Sequence, residues 1–391
     1  MMDISIVSFM ESLLRQVNSG FHRYLYGQLD WDSRMFGIIG PRGVGKSTMM
    51  LQYIKEHREE KKMMYISADH VYFSTHTLLD SASEFVMEGG EQLFIDEIHK
   101  YNNWSRELKL IYDAHPELKV VFTGSSVLDI YKGQADLSRR APVFFMQGLS
   151  FREFLLLFHH IEVPLHTLGQ ILSQKVSLGG MAHPLPLFQE YLRKGYYPFA
   201  SDTAYEVELQ QVVNQTMEVD IPQFANMTAS TARKLRKLLV VISKSVPFKP
   251  VMGTIAAVVG VSRNVLPDYF LFMEQAGLIA QLRDDTGGVR GVGKVEKVYI
   301  DNTSLAYLLG GQATDVGNIR ETFFYNQMRV TQDVICSRVS DFEIDGTTFE
   351  VGGKNKGKKQ IHQIPNSYVV KDNIEYGAGN ILPLWAFGLT Y

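Results

Sequence analysis

The sequence predicts an α/β fold in which a parallel sheet is flanked by helices, and two observations support this. First, between residues 34 and 150, short apolar runs alternate with stretches of helical pattern; the runs are residues 35–39, 63–67, 92–95, 119–123 and 143–146. Strands that alternate with helices are typical of parallel sheets, because parallel strands need long crossover connections. Second, a glycine-rich turn directly follows the first run, and a helical pattern follows the turn.

The glycine-rich turn, residues 40–47, reads G-P-R-G-V-G-K-S and fits the phosphate-binding pattern G-x-x-x-x-G-K-S/T. Glycines let the backbone curl so that N–H groups point at phosphate oxygens, and the next helix aims its positive end there. Lys46 can then reach the β- and γ-phosphates, and Ser47 can ligate Mg²⁺. A glycine turn with a chance lysine is the alternative. The predicted nucleotide contacts are Gly40, Pro41, Arg42, Gly43, Val44, Gly45, Lys46, Ser47 and Thr48.

The third apolar run is followed at once by two acids, Asp96 and Glu97. Ligands of parallel sheets bind at the carboxyl ends of strands, where the glycine-rich turn and these acids both lie. We therefore expect Asp96 to hold Mg²⁺ and Glu97 to polarise the water that attacks the γ-phosphate. An acidic strand end that faces solvent is the alternative for the acids taken alone.

Polar residues that follow the fourth run complete the predicted catalytic set. Ser125 and Ser126 could contact the γ-phosphate or orient the water, and a helix cap is the alternative. Arg139 and Arg140 precede the fifth run, and either could neutralise transition-state charge in its own site or in a neighbour's. A solvated surface pair is equally open for these arginines. Glu97, Ser125, Arg139 and Arg140 are the predicted catalytic residues.

Several phrases together resemble a family of prokaryotic AAA+-type ATPases that carry a C-terminal domain of unknown function, DUF4143. They are G-P-R-G-V-G-K-S-T, L-F-I-D-E-I-H-K-Y-N-N-W, V-V-F-T-G-S-S, and D-L-S-R-R-A followed by G-L-S-F-R-E-F-L. Residues 321–327 and 349–351 match the family's C-terminal part, so the resemblance is near full-length. It implies ATP and Mg²⁺ as cofactors. It also implies the Walker A residues Lys46 and Ser47, the Walker B residues Asp96 and Glu97, Ser125 or Ser126 at sensor 1, and Arg139 or Arg140 as arginine finger.

The remaining chain is predicted to form three further parts. Residues 151–235 resemble a helical lid. Residues 236–290 give a helix, a tight glycine turn, a second helix and a strand, which is the winged-helix pattern. The second helix offers Arg263 and Asn264 but also Asp268, so packing against protein stays open beside DNA binding. Residues 291–391 are mixed α/β and include a hairpin around Gly346. Residues 1–150 form the ATPase domain.

The C-terminal part of the family resembles the restriction-endonuclease-like fold, whose metal site uses an Asp and then Glu-x-Lys on the next strand. Asp341 and Glu350 match the two acids, but Gly352 stands at the lysine position. Lys354 is the nearest replacement. We therefore predict that the fold kept its shape and lost its cleavage activity. The basic patch of residues 354–359 could contact nucleic acid or an acidic protein.

Composition sets the remaining expectations for this chain of 391 residues, of which 45% are apolar and 21% charged. A net charge of −3 excludes a global attraction to nucleic acid or anionic membranes. The single cysteine, Cys336, excludes an internal disulfide, and no apolar run reaches membrane-spanning length. We expect a cytoplasmic ATPase with no membrane partner, which could form a homo-oligomer. ATP hydrolysis would reposition the C-terminal half. A nucleic-acid-binding module with nucleotide as a slow switch, and a metal-dependent nuclease, are the alternatives.

Overall fold

The computed structural model describes residues 3–124, 137, 139–245, 249–285, 293–311, 314–357 and 361–391. The chain divides into two compact units, Met1–Gln147 and Gly148–Tyr391. The finer four-part division expected from the sequence remains a prediction.

The N-terminal unit is a parallel sheet flanked by helices, as the sequence predicts. Its elements are α1 (Ile4–Gln16), β1 (Met35–Ile39), α2 (Lys46–His57), β2 (Met63–Ser67), α3 (Leu78–Met87), β3 (Gln92–Asp96), α4 (Trp104–Ala114), β4 (Lys119–Gly124) and β5 (Val143–Phe145). The strands lie in the order β2-β3-β4-β1-β5, and every pairing is parallel. Every residue of β1, β2 and β3 is buried, which explains their almost continuous apolar character.

The strand order decides which residues meet at the carboxyl edge of this sheet. The glycine-rich turn follows β1, and the two acids come at the end of β3. Strand β4 lies between β1 and β3 and pairs with both. Because all strands run in the same direction, the ends of β1, β3 and β4 lie side by side at one edge.

Helices dominate the first part of the C-terminal unit. They are α5 (Phe151–His159), α6 (Leu168–Leu172), α7 (Pro184–Lys194), α8 (Tyr205–Gln215), α9 (Ile221–Phe224), α10 (Ala229–Ser245), α11 (Met252–Val259) and α12 (Leu266–Gln275). A capping box starts α5, because Ser150 and Glu153 each accept the other's backbone N–H at 3.1 Å.

The elements expected for a winged helix occur in the predicted order, although that assignment remains a prediction. Gly260, with φ of 78°, ends α11 and turns the chain towards α12. An antiparallel pair of strands, β6 (Ile279–Arg283) and β7 (Val295–Ile300), follows. In the described part of the chain, no single helix is both long and apolar enough to span a membrane. Met252–Val259 and Arg263–Gln275, bent by 108°, reach that length and composition only as a pair.

A second five-stranded sheet forms the last part of the C-terminal unit. Two helices, α13 (Thr303–Gly310) and α14 (Val316–Met328), precede it. Its strands are β8 (Val334–Cys336), β9 (Phe342–Ile344), β10 (Thr347–Gly352), β11 (Ser367–Lys371) and β12 (Ile381–Pro383). The order is β12-β11-β10-β9-β8; β9 pairs antiparallel with both neighbours, and β11 pairs parallel with both of its own. The predicted hairpin around Gly346 is confirmed, with positive φ at Asp345 and Gly346.

Candidate nucleotide-binding site

The backbone of the glycine-rich turn takes a course that other residues cannot follow easily. At Gly40 a Cβ would lie 2.2 Å from the carbonyl oxygen of Met146, so no side chain fits. Gly45 caps α2 with a φ of 98°, in the region that favours glycine. The turn therefore bends sharply between β1 and α2, and the start of α2 faces the bend.

Lys46 places its ammonium group inside this bend. Its side chain is buried, and Nζ donates to the carbonyl oxygens of Gly40 at 2.8 Å and Pro41 at 2.9 Å. A buried ammonium needs strong acceptors, and phosphate oxygens are stronger acceptors than carbonyls. Ser47 and Thr48 follow in the first turn of α2, and Ser47 is partly buried.

A residue that the sequence did not indicate holds the other side of the turn. Arg23, between α1 and β1, is buried with 5% exposure. Its Nη1 donates to the carbonyl oxygen of Val44, and its Nη2 donates to that of Gln147 at 2.7 Å. Nothing in the local sequence pattern could have identified Arg23, because it lies well before the turn and in no recognised motif.

Asp96 is buried and held by three donors. Its Oδ2 accepts from the phenol of Tyr65 at 2.6 Å, and its Oδ1 accepts from the Thr123 hydroxyl and from the backbone N–H of Glu97 at 2.9 Å. Burial and the neighbouring Asp96 raise the pKa of Tyr65 well above its ordinary value, so the phenol keeps its proton and donates. Three donors fix the orientation of the carboxylate at the sheet edge.

Glu97 leaves the strand in an unusual backbone conformation. Its φ is 49°, in the left-handed region that non-glycine residues seldom adopt. Its Oε2 lies 3.4 Å from Nε2 of His99, whose side chain is only 4% exposed. Burial, together with the nearby cations Lys100, Arg42 and Lys46, lowers the pKa of His99 to about 3. His99 is therefore neutral at physiological pH, close to Glu97 and to the cations of the turn.

The other predicted catalytic residues differ in whether the structure describes them and in what they contact. Ser125 and its alternative Ser126 lie outside the described residues. Arg140 pairs with Asp113 of α4 through two hydrogen bonds of 3.1 Å each. Arg139 is exposed. The structure thus separates two arginines that the sequence left equivalent, and it adds Thr123 as a hydroxyl that reaches Asp96.

The residues around the turn fit MgATP in chemical type. Lys46 offers a desolvated cation for phosphate, and the Asp96 carboxylate and Ser47 hydroxyl are oxygen ligands of the kind Mg²⁺ prefers. Among the described residues, no three or more His, Cys, Asp or Glu side chains form a group that could hold a metal ion. A P-loop site needs no such group, since Mg²⁺ there is bound by few protein atoms and by the phosphates.

The acids predicted for the C-terminal domain are each paired with a lysine. Asp341 Oδ1 lies 3.0 Å from Nζ of Lys297, which is also 3.1 Å from Oε2 of Glu321. Glu350 is buried, and its Oε1 lies 2.6 Å from Nζ of Lys356. The two predicted metal ligands therefore hold ammonium groups.

Lys356 fills the space that the missing lysine side chain of the Glu-x-Lys pattern would occupy. A Cβ on Gly352 would lie only 2.6 Å from Cγ of Lys356, so the Lys356 chain crosses this position on its way to Glu350. Lys354, the replacement expected from the sequence, is exposed. Of the basic patch, Lys358 and Lys359 lie outside the described residues.

Two segments of the chain match family models. Residues 32–155 match an AAA domain, and this part of the chain carries that domain. Residues 185–315 match a domain of unknown function, DUF8612. The expected DUF4143 domain is not confirmed.

Comparisons over the whole chain give weaker likenesses. No curated protein matches the sequence significantly. Among solved structures, AMPPCP-bound DnaA from Aquifex aeolicus is 12% identical, over 70% of this chain and 90% of that one, with a TM-score of 0.26. The Hsp104–ADP complex of S. cerevisiae is 13% identical, over 71% and 38%, with a TM-score of 0.30. PCH-2 of C. elegans is 13% identical, over 70% and 68%, with a TM-score of 0.25.

Proposed function

We propose that this chain binds ATP with Mg²⁺ at residues 40–48 and hydrolyses it. The observation that carries the proposal is the buried ammonium of Lys46 inside a glycine-rich bend, at the same sheet edge as the anchored carboxylate of Asp96. The AAA domain matched over residues 32–155 supports the same function.

Each residue of the site has a role that follows from its chemistry. Backbone N–H groups of the turn and the Lys46 ammonium bind the phosphate oxygens, while Ser47 and Asp96 hold Mg²⁺. The metal ion, when bound, neutralises charge on those oxygens. Glu97 accepts a proton from the attacking water. His99, being neutral, leaves the negative charge of Glu97 available for this task.

Phosphate binding exchanges the partners of Lys46. Its two carbonyl acceptors, Gly40 and Pro41, carry only partial charge, whereas the phosphate oxygens carry full charge. At the same distance the ammonium is attracted more strongly by the full charge of a phosphate than by the partial charge of a carbonyl oxygen, so the exchange favours binding.

We further propose Arg139 as the arginine finger and a homo-oligomer as its setting. Arg140 is engaged by Asp113, whereas Arg139 is exposed, which supports Arg139 as the residue that acts in the site of a neighbouring subunit. We also propose that hydrolysis repositions the C-terminal half. A nucleic-acid-binding module with nucleotide as a slow switch is the rival function, and the basic residues from 354 onward favour it.

The test is nucleotide binding and turnover by the purified full chain. Lys46→Ala should lose most of its ATP affinity, while Lys109→Ala, at an exposed lysine of α4, should bind as the parent does. Glu97→Gln should bind ATP and hydrolyse it at least about a hundredfold more slowly, since general base catalysis contributes that much. Glu117→Gln, at an exposed glutamate, is its control. Turnover that requires added DNA would favour the rival function, and ATP binding that survives Lys46→Ala would refute the site.

A further inference from the structure

The segment between α1 and β1 lies along the helix that follows the glycine-rich turn. We call residues 17–31 the N-terminal strap. Gln52 of α2 donates from Nε2 to the carbonyl oxygens of Asn18 at 2.7 Å and Phe21 at 2.8 Å, and Lys55 donates to Val17 at 2.7 Å. These contacts attach the strap to α2 within one turn of the helix.

Further along the strap, aromatic packing continues the attachment. The Trp31 ring stacks on the Tyr53 ring of α2, with 4.3 Å between centroids and an angle of 12° between the planes. The phenol of Tyr26 donates to Glu56, also on α2. The Trp31 and Tyr53 rings are both buried, and burial of this aromatic area stabilises the attachment of the strap to α2.

Arg23 is the strap residue that reaches the glycine-rich turn itself. Its guanidinium is buried, which is costly unless its donors are satisfied. The donors meet the carbonyl oxygens of Val44 and Gln147, the first inside the turn and the second just after β5. The guanidinium therefore ties the turn to two neighbouring segments at a single point.

The hydrogen bond from Arg23 to the Val44 carbonyl fixes the direction of the neighbouring Gly45 N–H. A trans peptide is planar, and its C=O and N–H point in opposite directions. Since the Val44 carbonyl points towards Arg23, the N–H of Gly45 in the same peptide points away from Arg23. Gly45 directly precedes Lys46, whose ammonium lies inside the bend.

We propose that Arg23 is a positioning residue for phosphate binding, which holds the Val44–Gly45 peptide so that the Gly45 N–H faces the phosphate. This inference rests on the proposed ATP site and adds a residue to it that no motif contains. Arg23 touches the turn from outside and does not contact the nucleotide. Its effect is on affinity, because it acts before the chemical step.

The experiment measures ATP affinity and turnover in the full chain, at a temperature where every variant is folded. Arg23→Met should raise the Kd for ATP about tenfold, as expected for loss of a hydrogen bond from a charged group. At saturating ATP, kcat should stay within about twofold of the parent. Arg23→Lys, which keeps the charge but cannot reach both carbonyls, should give an intermediate Kd.

Two controls separate positioning from simple support of the strap. Lys55→Met removes a strap attachment that does not touch the turn, and Arg15→Met removes an exposed arginine of α1. Both should bind ATP as the parent does. A parent-like Kd for Arg23→Met, or an equal loss in Lys55→Met, would overturn the inference. If the parent itself binds no ATP, or if Lys46→Ala binds as tightly as the parent, the proposed function fails instead.

Discussion

The phenol of Tyr65 donates a hydrogen bond of 2.6 Å to the carboxylate of Asp96. Tyr65 lies on β2 and pairs with Phe94 of β3, so Asp96, two residues further along, is on the same face of the sheet. The Thr123 hydroxyl of β4 reaches the same carboxylate from the other side. Asp96 is thus oriented by its two neighbouring strands, which gives the proposed metal ligand a fixed direction.

Removal of the Tyr65 hydroxyl should therefore weaken catalysis without abolishing ATP binding. In Tyr65→Phe the carboxylate loses one of its three donors, and loss of such a partner of a metal ligand typically costs about tenfold or more in metal affinity or activity. We expect the Mg²⁺-dependent turnover to fall about tenfold, measured in a titration of Mg²⁺ at saturating ATP.

Tyr101→Phe is the matched control for this change. It removes a phenol that donates to another carboxylate of the same unit, Glu107, at 2.8 Å. Its Mg²⁺ titration should follow that of the parent. Turnover by Tyr65→Phe equal to that of Tyr101→Phe would show that the phenol does not position Asp96 for catalysis.

The sequence predicted the glycine-rich turn and the acids of this site, but not the residues that hold them in place. The strands, the glycine-rich turn and the acids were all recognisable because each is a local pattern. Tyr65, Thr123 and Arg23 were not, because their contacts depend on strand order and on packing between distant segments. Local patterns carry no information about which strand lies next to which.

The two arginines before β5 should respond differently to substitution. Arg139→Ala should lower ATP turnover strongly and leave stability unchanged, because Arg139 is exposed. Arg140→Ala should leave turnover near the parent value and lower stability slightly, because it loses its pair with Asp113. Turnover and thermal midpoint are measured for both variants.

A finger that acts between subunits has a second consequence. Turnover per chain should rise with protein concentration in the parent and stay flat in Arg139→Ala. Light scattering on the same samples reports whether the rise follows association. Parent turnover that is independent of concentration down to the monomer would exclude a finger in trans.

The buried His99 should make the N-terminal unit less stable in acid. Its pKa is about 3 in the folded chain and 6.5 in the unfolded one, so between these values only the unfolded chain binds the proton. Stability is full above pH 6.5 and falls as the pH drops towards 3, by roughly 1.4 kcal/mol per unit at most. His99→Gln should reduce this slope between about pH 4.5 and 6.5, measured on the thermal transition that ATP shifts.

The control for this pH dependence is an exposed histidine of the same unit. His76→Gln, at an exposed position, is measured in the same way, and the slope of His99→Gln is compared with it. Slopes that coincide for the parent and His99→Gln would mean that His99 is protonated in the folded chain.

The C-terminal acids illustrate where sequence patterns stop being informative. Asp341 and Glu350 were recognisable from their spacing, and the hairpin between them formed as expected. The lysine that pairs with Glu350 was not recognisable from the sequence. Lys356 follows two glycines and a turn, and a local pattern does not show that such a turn brings it to Glu350. Gly352 makes this pair possible, since only a residue without a Cβ leaves room for the Lys356 side chain to pass.

Lys356 should therefore contribute to stability, and Lys354 should not. Lys356→Ala leaves the Glu350 carboxylate, which is 1% exposed, without its ammonium partner. Breaking a fully buried pair is costly. Because the Lys356 side chain is itself 35% exposed, we expect a smaller loss, of about 2 kcal/mol in the free energy of unfolding. Lys354→Ala, at an exposed position, should change it by less than about 0.5 kcal/mol. Urea unfolding measures both, and equal values would remove the special role of Lys356.

The last prediction is that the C-terminal domain does not cleave nucleic acid. A divalent metal ion at Asp341 and Glu350 would have to displace the ammonium groups of Lys297 and Lys356, which are attached to the chain and always near. Tethered cations compete at high effective concentration, so Mg²⁺ is disfavoured there. Purified protein incubated with single- and double-stranded DNA and RNA, in Mg²⁺ or Mn²⁺, should leave each substrate intact, as should the Asp341→Ala, Glu350→Ala double variant. Cleavage by the parent that disappears in the double variant would show an active nuclease and refute the prediction.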